Sequence, residues 1–499
     1  MIFKNIVMIK YFKYTFLFII GLGFSSCEDY LSPEPTAAIP ATEFFTNEVE
    51  IELGIGAIYD ALQGVNSYQL NDNRAIQIEF FLTEMLSDNT SSKSPDPENA
   101  ADNRQFDNYT VQENNSVSAN YYSSMYRIIY LANLVIDSTN NAISDETTAL
   151  TLKAEAKFLR AYAYFNLVRL YSDIDADGTT SSDSLAVPYI DHVLTADESD
   201  TQYIRATVGD IYDLIISDLL LAAESLDDSY TTRASKSAAH GLLAKAYLSL
   251  ETPLYGNAIY HLDQVYGNYE ILDTYSDVFS YSNELNNEII FAIGFEDNLA
   301  NDSQNFSLEF TRKGNQSGMN MLTNDLLGEL VESGGSNRQL YDDFTDGSST
   351  KYATEKFSTT TEDESQYAGF DWTVLRYADI IMMYAEAYMA GGDSVTLASP
   401  WDVDYNLIRT RAGLTTVTEV TKDELLAERR YEFFTENQRL FDLKRFGVAN
   451  EVLGTFAQLS GYNYDFRECG LPIPLREINL SPKDDSGAPL LEQNSLWAN

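Results

Sequence analysis

Positive charge is what this sequence has least of: its 499 residues hold 32 Lys+Arg against 76 Asp+Glu, a formal net charge of −44, with only 3 His and 2 Cys. A chain of that sign repels a phosphate backbone, because Lys and Arg supply most nucleic-acid affinity through counterion release, so nucleic acid is excluded as a partner. An anionic lipid surface is excluded as an electrostatic anchor for the same reason. The histidines, His192, His240 and His261, stand far apart in unrelated contexts, which argues against a histidine-rich metal centre. Also lacking are a G-x-S-x-G nucleophile elbow, a glycine-rich phosphate loop ending in Lys, and H-E-x-x-H. What is present is ample apolar material, 44% of the chain, enough for a large core.

The N-terminus carries Lys4, Lys10 and Lys13, no acidic residue before position 27, and then an apolar run over residues 14–24. Spanning a bilayer takes about 20 apolar residues, so the run reads as a signal peptide covering residues 1–26. Phe24-Ser-Ser-Cys27 resembles a bacterial lipobox, with Phe24 where Leu is usual, and this makes Cys27 the expected lipidated residue and the outer membrane the expected location. Glu28-Asp29 behind it resembles the surface-export signal of Bacteroidota lipoproteins. Residues 27–40, rich in proline, read as an extended tether. With Cys27 acylated, Cys469 has no partner for an intrachain disulfide and is expected as a small buried residue.

From residue 41 onward the pattern is helical, with small, aromatic and aliphatic residues recurring in steps of three and four. Residues 152–171, 235–250 and 375–388 share this rhythm, for example Ala154, Phe158, Ala161, Phe165 and again Tyr377, Ile381, Tyr384, Tyr388. Helices over 208–226 and 257–266 pair with the second of these. The expectation is a mainly α, tetratricopeptide-like helical-repeat scaffold with long loop insertions and minor β, its copies spaced irregularly rather than at about 34 residues. The insertions at 87–120, 174–184, 296–317 and 333–371 are polar and are expected to form a binding face. Residues 288–294 are the best strand candidate. The body divides into an N-terminal region, 41–300, and a C-terminal region, 301–499, packed on one core.

Several segments carry a family resemblance. They are Asp29-Tyr-Leu-Ser-Pro33, Ala154-Glu-Ala-Lys-Phe-Leu-Arg-Ala-Tyr-Ala-Tyr-Phe165, Arg233-Ala-Ser-Lys-Ser-Ala-Ala239, Leu375-Arg-Tyr-Ala-Asp379 and Ile408-Arg-Thr-Arg-Ala-Gly-Leu414. Glu428-Arg-Arg-Tyr-Glu-Phe433, Arg439-Leu-Phe-Asp-Leu-Lys-Arg445, Pro472-Ile-Pro474 and Gln493-Asn494 follow in order. Together they resemble the SusD/RagB family of Bacteroidota outer-membrane nutrient-binding lipoproteins. The resemblance implies a non-catalytic protein that captures a glycan and delivers it to a SusC-like TonB-dependent transporter. RagB-like capture of oligopeptides and a helical scaffold that binds no nutrient are the competing readings.

Charged residues inside these motifs, Glu386, Arg409, Arg411, Glu428, Arg429, Glu432, Arg439, Asp442 and Arg445, read as structural ion pairs, since Arg forks match carboxylates. A glycosidase would need two carboxylates about 5–9 Å apart with one pKa raised, and nothing in the pattern selects such a pair. Candidate ligand contacts lie in the insertions: Asp88, Asn89, Arg104, Phe106 and Tyr109, then Tyr367, Phe370 and Trp372. The 34 Tyr supply flat apolar faces and hydroxyls suited to sugars. The net charge disfavours polyanionic glycans and favours a neutral one, such as the β-glucan laminarin. Asp173-Ile-Asp-Ala-Asp-Gly178 matches the first half of an EF-hand loop and makes Asp173, Asp175, Asp177 and Asp183 candidate ligands of a structural calcium ion.

Overall fold

The computed structural model describes residues 45–66, 73–92, 102–195, 198, 203–297, 302–310, 319–346, 349–358 and 368–498. The signal peptide, Cys27, the tether and Tyr367 lie outside them. Helices dominate: α1 (Glu48–Gln63), α2 (Ser116–Ala142), α3 (Glu146–Tyr171), α4 (Val208–Ser225), α5 (Lys236–Leu248) and α6 (Tyr255–Val265) each pack on the next. After the insertions come α7 (Tyr377–Met389), α8 (Asp402–Arg411), α9 (Lys422–Phe433) and α10 (Arg439–Arg445). α7 packs on α5 and α6, and takes α8 and α9 on its other sides. Phe45–Asn499 is one compact unit with a continuous apolar core.

The helix starts follow local chemistry. Asn115, Asp145 and Ser235 cap α2, α3 and α5 with side-chain oxygens, and Thr207 with Asp210 and Thr421 with Glu424 form reciprocal capping boxes on α4 and α9. Small residues make the close packing of the repeat. Ala154, Ala161, Ala238 and Ala239 are fully buried, so neighbouring backbones approach where a larger side chain would hold them apart.

Sheet is minor: among the described residues every sheet has two strands. The expected strand forms as β1 (Ile289–Ile293), buried throughout and antiparallel to β2 (Trp372–Arg376), with Ile289 opposite Arg376 and Ile293 opposite Trp372. Leu375 and Arg376, expected in the helix, therefore belong to a strand, and α7 starts at Tyr377. The sequence pattern also did not announce a helix at Asn324–Glu332, between two insertions, or a hairpin inside the last insertion pairing Tyr341–Asp346 with Ser349–Thr354. Cys469 is buried and free. Among the described residues no helix is long and apolar enough to cross a membrane.

Charged motif residues meet at the base of α7, α8 and α9. Glu432, wholly buried, accepts from Arg338 Nε at 2.8 Å, Arg376 Nη1 at 2.7 Å and Arg411 Nη2 at 2.5 Å. Arg376 and Arg411 share Glu288, and Arg376 and Lys356 share Glu436. A second cluster joins Lys245 and Arg429 to Asp379, with Asp442 held by Arg429 and Arg445. Burial alone would raise the Glu432 carboxyl, but the three guanidinium groups outweigh it and hold the pKa well below the usual range. These carboxylates are ion-paired scaffold, as the motif reading expects.

Candidate ligand-binding cleft

Most of the sequence-predicted contact residues lie under the surface. Asp88 accepts from both Arg439 Nε and Nη2 at 2.8 Å, and Asn89 Oδ1 accepts from Arg430 Nε at 2.9 Å, with both residues buried. Phe106 is wholly buried beside Phe81, and the Tyr109 hydroxyl donates to the Ser87 carbonyl at 3.3 Å. Phe370 and Trp372 join Phe357 in an aromatic layer, the Trp372 and Phe357 rings stacked 4.7 Å apart. Contrary to their expected place on a binding face, these six side chains are buried and pack or pair beneath the surface. Arg104 remains partly exposed on the short Arg104–Asp107 helix.

The candidate calcium loop does not converge either. Asp173 Oδ1 accepts from Arg205 Nη2 at 2.8 Å and from Ser495 N at 3.2 Å, while Asp177 Oδ1 caps Thr179. Asp175 and Asp183 are exposed, and the chain closes as a tight turn through Gly178 N to Asp175 O at 2.9 Å. Among the described residues no three His, Cys, Asp or Glu side chains are grouped to hold a metal ion. The histidine reading needs a correction of its own: His240 and His261, distant in sequence, meet in the interior with their Nδ1 atoms 2.8 Å apart.

What the structure does bring together on the accessible side is a cleft of about 510 Å³ directly outside the Trp372 layer. One face of α1 lines it with Glu52, Gly56, Tyr59 and Gln63, spaced by helical turns. Thr232 and Arg233, the end of β1 with Gly294, Phe295 and Glu296, and Asp371 before β2 complete it. Glu155 organises the polar wall: Arg233 grips it with Nε at 2.8 Å and Nη2 at 2.7 Å, and the Tyr59 hydroxyl donates to it at 2.8 Å. The Arg233 guanidinium carbon lies 5.9 Å from the Tyr59 ring centre and 5.7 Å from that of Tyr230, which is 61% exposed. The result is an aromatic platform fixed around a charged fork.

The opposite wall is acidic. Asp371 Oδ1 accepts from Phe295 N at 2.8 Å, and burial lifts its pKa to about 6. Glu284 Oε1 accepts from Asp371 N at 2.6 Å and is lifted by burial to about 8. Asp297 Oδ1 takes the amide of Gly369, where a Cβ would meet Asp297 N at 2.5 Å, so only glycine fits. The bases of several polar insertions gather here: Gln304 bridges to Ala368, and Glu296 N donates to Asp302 O at 2.8 Å. Nearby, Arg74 reaches Asn305 and Glu309 at 3.4 and 3.6 Å. Tyr59, Gln63, Tyr230 and Arg233 were missed by sequence reasoning. The available signal was the polar and small series at 52, 56, 59 and 63, which repeats at helical spacing along α1.

A mainly helical repeat body with a loop-lined, partly aromatic cleft and ion-paired motif carboxylates defines a binding protein built on a tetratricopeptide-like fold. Two family models match the chain, one described as starch-binding and associating with the outer membrane over residues 30–248, the other as the SusD family over residues 332–497. The chain belongs to the SusD/RagB family. It is 24% identical to SusD-like protein P2 of Formosa agariphila over 95% of this chain and 99% of that one. It is 30% identical to SusD-like protein P25 of the same organism over 56% of this chain and 51% of that one. Among solved structures, a laminarin-binding SusD-like protein superposes with a TM-score of 0.72 at 23% identity, covering 90% of this chain and 100% of the other. Surface glycan-binding protein A from Bacteroides fluxus gives 0.73 at 21% identity, covering 90% and 99%.

Proposed function

We propose that this protein captures a neutral oligo- or polysaccharide at the cell surface, with a laminarin-type β-glucan as the leading ligand, and passes it to a SusC-like TonB-dependent transporter while held to the outer membrane by a lipid on Cys27. The observation that carries the glycan reading is that Tyr59 and Arg233 line one cleft with amide, hydroxyl and carboxylate groups, with the exposed Tyr230 ring beside Arg233. Flat rings take the C–H faces of sugars while the polar wall bonds their hydroxyls. The glycan-binding descriptions of the structural neighbours support the same class of ligand. The exposed Glu52 and Glu296 of the cleft and the net charge oppose polyanions.

Calorimetric titration of the lipid-free protein with laminarin, other neutral glycans and a peptide mixture tests this. Saturable binding of a neutral glycan, weakened at least severalfold by Tyr230→Ala, is the expected result. Saturation by peptides without glycan binding replaces it with a RagB-like reading, and release of reducing ends with an enzymatic one. Cys27→Ala is expected to move the protein from the membrane to the soluble fraction, and co-purification with the transporter tests the delivery step.

A further inference from the structure

A separate recess of about 400 Å³ lies where the end of α3 meets α10 and the turn at residues 249–255, and it shares no lining residue with the cleft. Three cations line it, Lys444, Arg169 and Arg445, and of these Arg445 is already paired with Glu386 and Asp442. Lys444 is only 8% exposed, and its ammonium donates to the Arg169 carbonyl. The Arg169 guanidinium is sandwiched between the Phe165 and Phe441 rings at 3.9 and 3.6 Å. Its Nε and Nη2 bond Phe165 O and Asn166 Oδ1, which leaves Nη1 without a hydrogen-bond partner among the described residues.

Among the described residues no carboxylate lies within ion-pair distance of Lys444 or Arg169, the Glu79 charge acting on Arg169 only from farther off, and for the buried Lys444 that is anomalous in this chain. Apart from Lys444, every buried Arg or Lys among the described residues, from Arg160 on Asp218 to Arg439 on Asp88, is paired with a carboxylate, while Arg169 itself is half-buried. A net charge of −44 means that carboxylates are not scarce. A buried charge without a counter-charge is costly, so a recess opening onto the buried Lys444 and the half-buried Arg169 favours an anion from outside. Burial lowers the Lys444 pKa to about 8, which leaves it mostly charged at neutral pH. The rim works the other way: Asp175, Asp177 and Glu251 line the mouth and repel an extended polyanion.

We infer that this recess binds one carboxylate group of a small ligand, paired with Lys444 and Arg169 and flanked by the hydroxyls of Thr179 and Tyr212. A sugar acid and a peptide C-terminus both present that group. The site does not depend on the glycan reading of the cleft.

Titrating the whole mature protein with sodium glucuronate and with N-acetyl-dialanine tests it. At least one probe is expected to saturate, and which one identifies the source. Lys444→Met keeps the stem and removes the charge. It is expected to weaken binding by roughly tenfold, as loss of one charge-assisted hydrogen bond implies, without lowering the melting temperature and without changing laminarin affinity. Glu251→Gln on the rim is expected to tighten binding severalfold. The inference is overturned if neither probe saturates, or if Lys444→Met binds as wild type does. Should Lys444→Met fail to fold, unchanged or weaker binding by Glu251→Gln overturns it instead.

Discussion

Glu432 shows how single residues hold this protein together. Its carboxylate is wholly buried and takes three guanidinium groups, so replacing it strands Arg338, Arg376 and Arg411 in the interior. Breaking a buried pair from one side costs about 3–5 kcal/mol, and Glu432→Gln is expected to lose that much in chemical denaturation. A buried histidine pair and a buried glutamate set opposite pH slopes. Burial lowers His240 and His261 from 6.5 to about 4, so the folded state binds fewer protons than the unfolded one. Their contribution is complete above 6.5 and is lost as the pH falls toward 4; melting curves over that range should show less acid loss in His261→Gln. Glu309 is the reverse: burial, partly offset by Arg74, raises it to about 7, and its Oε2 has no partner. Its contribution is present below 4.5 and lost as the pH rises to 7, so Glu309→Gln should gain on wild type across pH 5–8. None of this was visible along the chain, because Asp88 meets Arg439 across 351 positions and a polar residue in a loop looks solvated until its distant partner arrives.

At the scale of elements, the sequence was far more legible. Period and capping residues are local, and α3, α4, α5 and α6 form close to where their apolar stripes and caps place them. The capping boxes make a direct prediction: Thr421→Ala and Thr207→Ala each remove the acceptor for a first-turn amide, and each is expected to cost about 1 kcal/mol in denaturant unfolding. The error at Leu375 and Arg376 has a physical cause. Both continue the helical pattern of α7, but β1 offers a ladder with Ile289 opposite Arg376, and buried backbone groups take that pairing. Short elements inside the polar insertions escaped notice because two to six residues carry too little periodicity to read. The cleft wall on α1 was legible in principle, since residues 52, 56, 59 and 63 share a face.

Across the whole molecule, the charge imbalance acts twice. Carboxylates that pair with buried cations support the core, while the unpaired excess repels itself over the surface. Salt shortens the screening length from about 30 Å at 0.01 M to about 8 Å at 0.15 M and leaves buried pairs nearly untouched, so the melting temperature is expected to rise over that range of sodium chloride. A flat response would mean that the surface excess is already locally compensated. What the sequence determined by itself was the helical-repeat class, the family and the ion-pairing role of the motif charges, because each rests on composition or on spacing within one element. Only the tertiary structure decided which polar and aromatic residues face solvent. It sent Asp88, Phe106 and Trp372 inward, turned Asp173 to Arg205, paired two histidines, and assembled a platform from Tyr59, Tyr230 and Arg233. Exposure depends on which distant segments pack above a residue, and no local pattern encodes that.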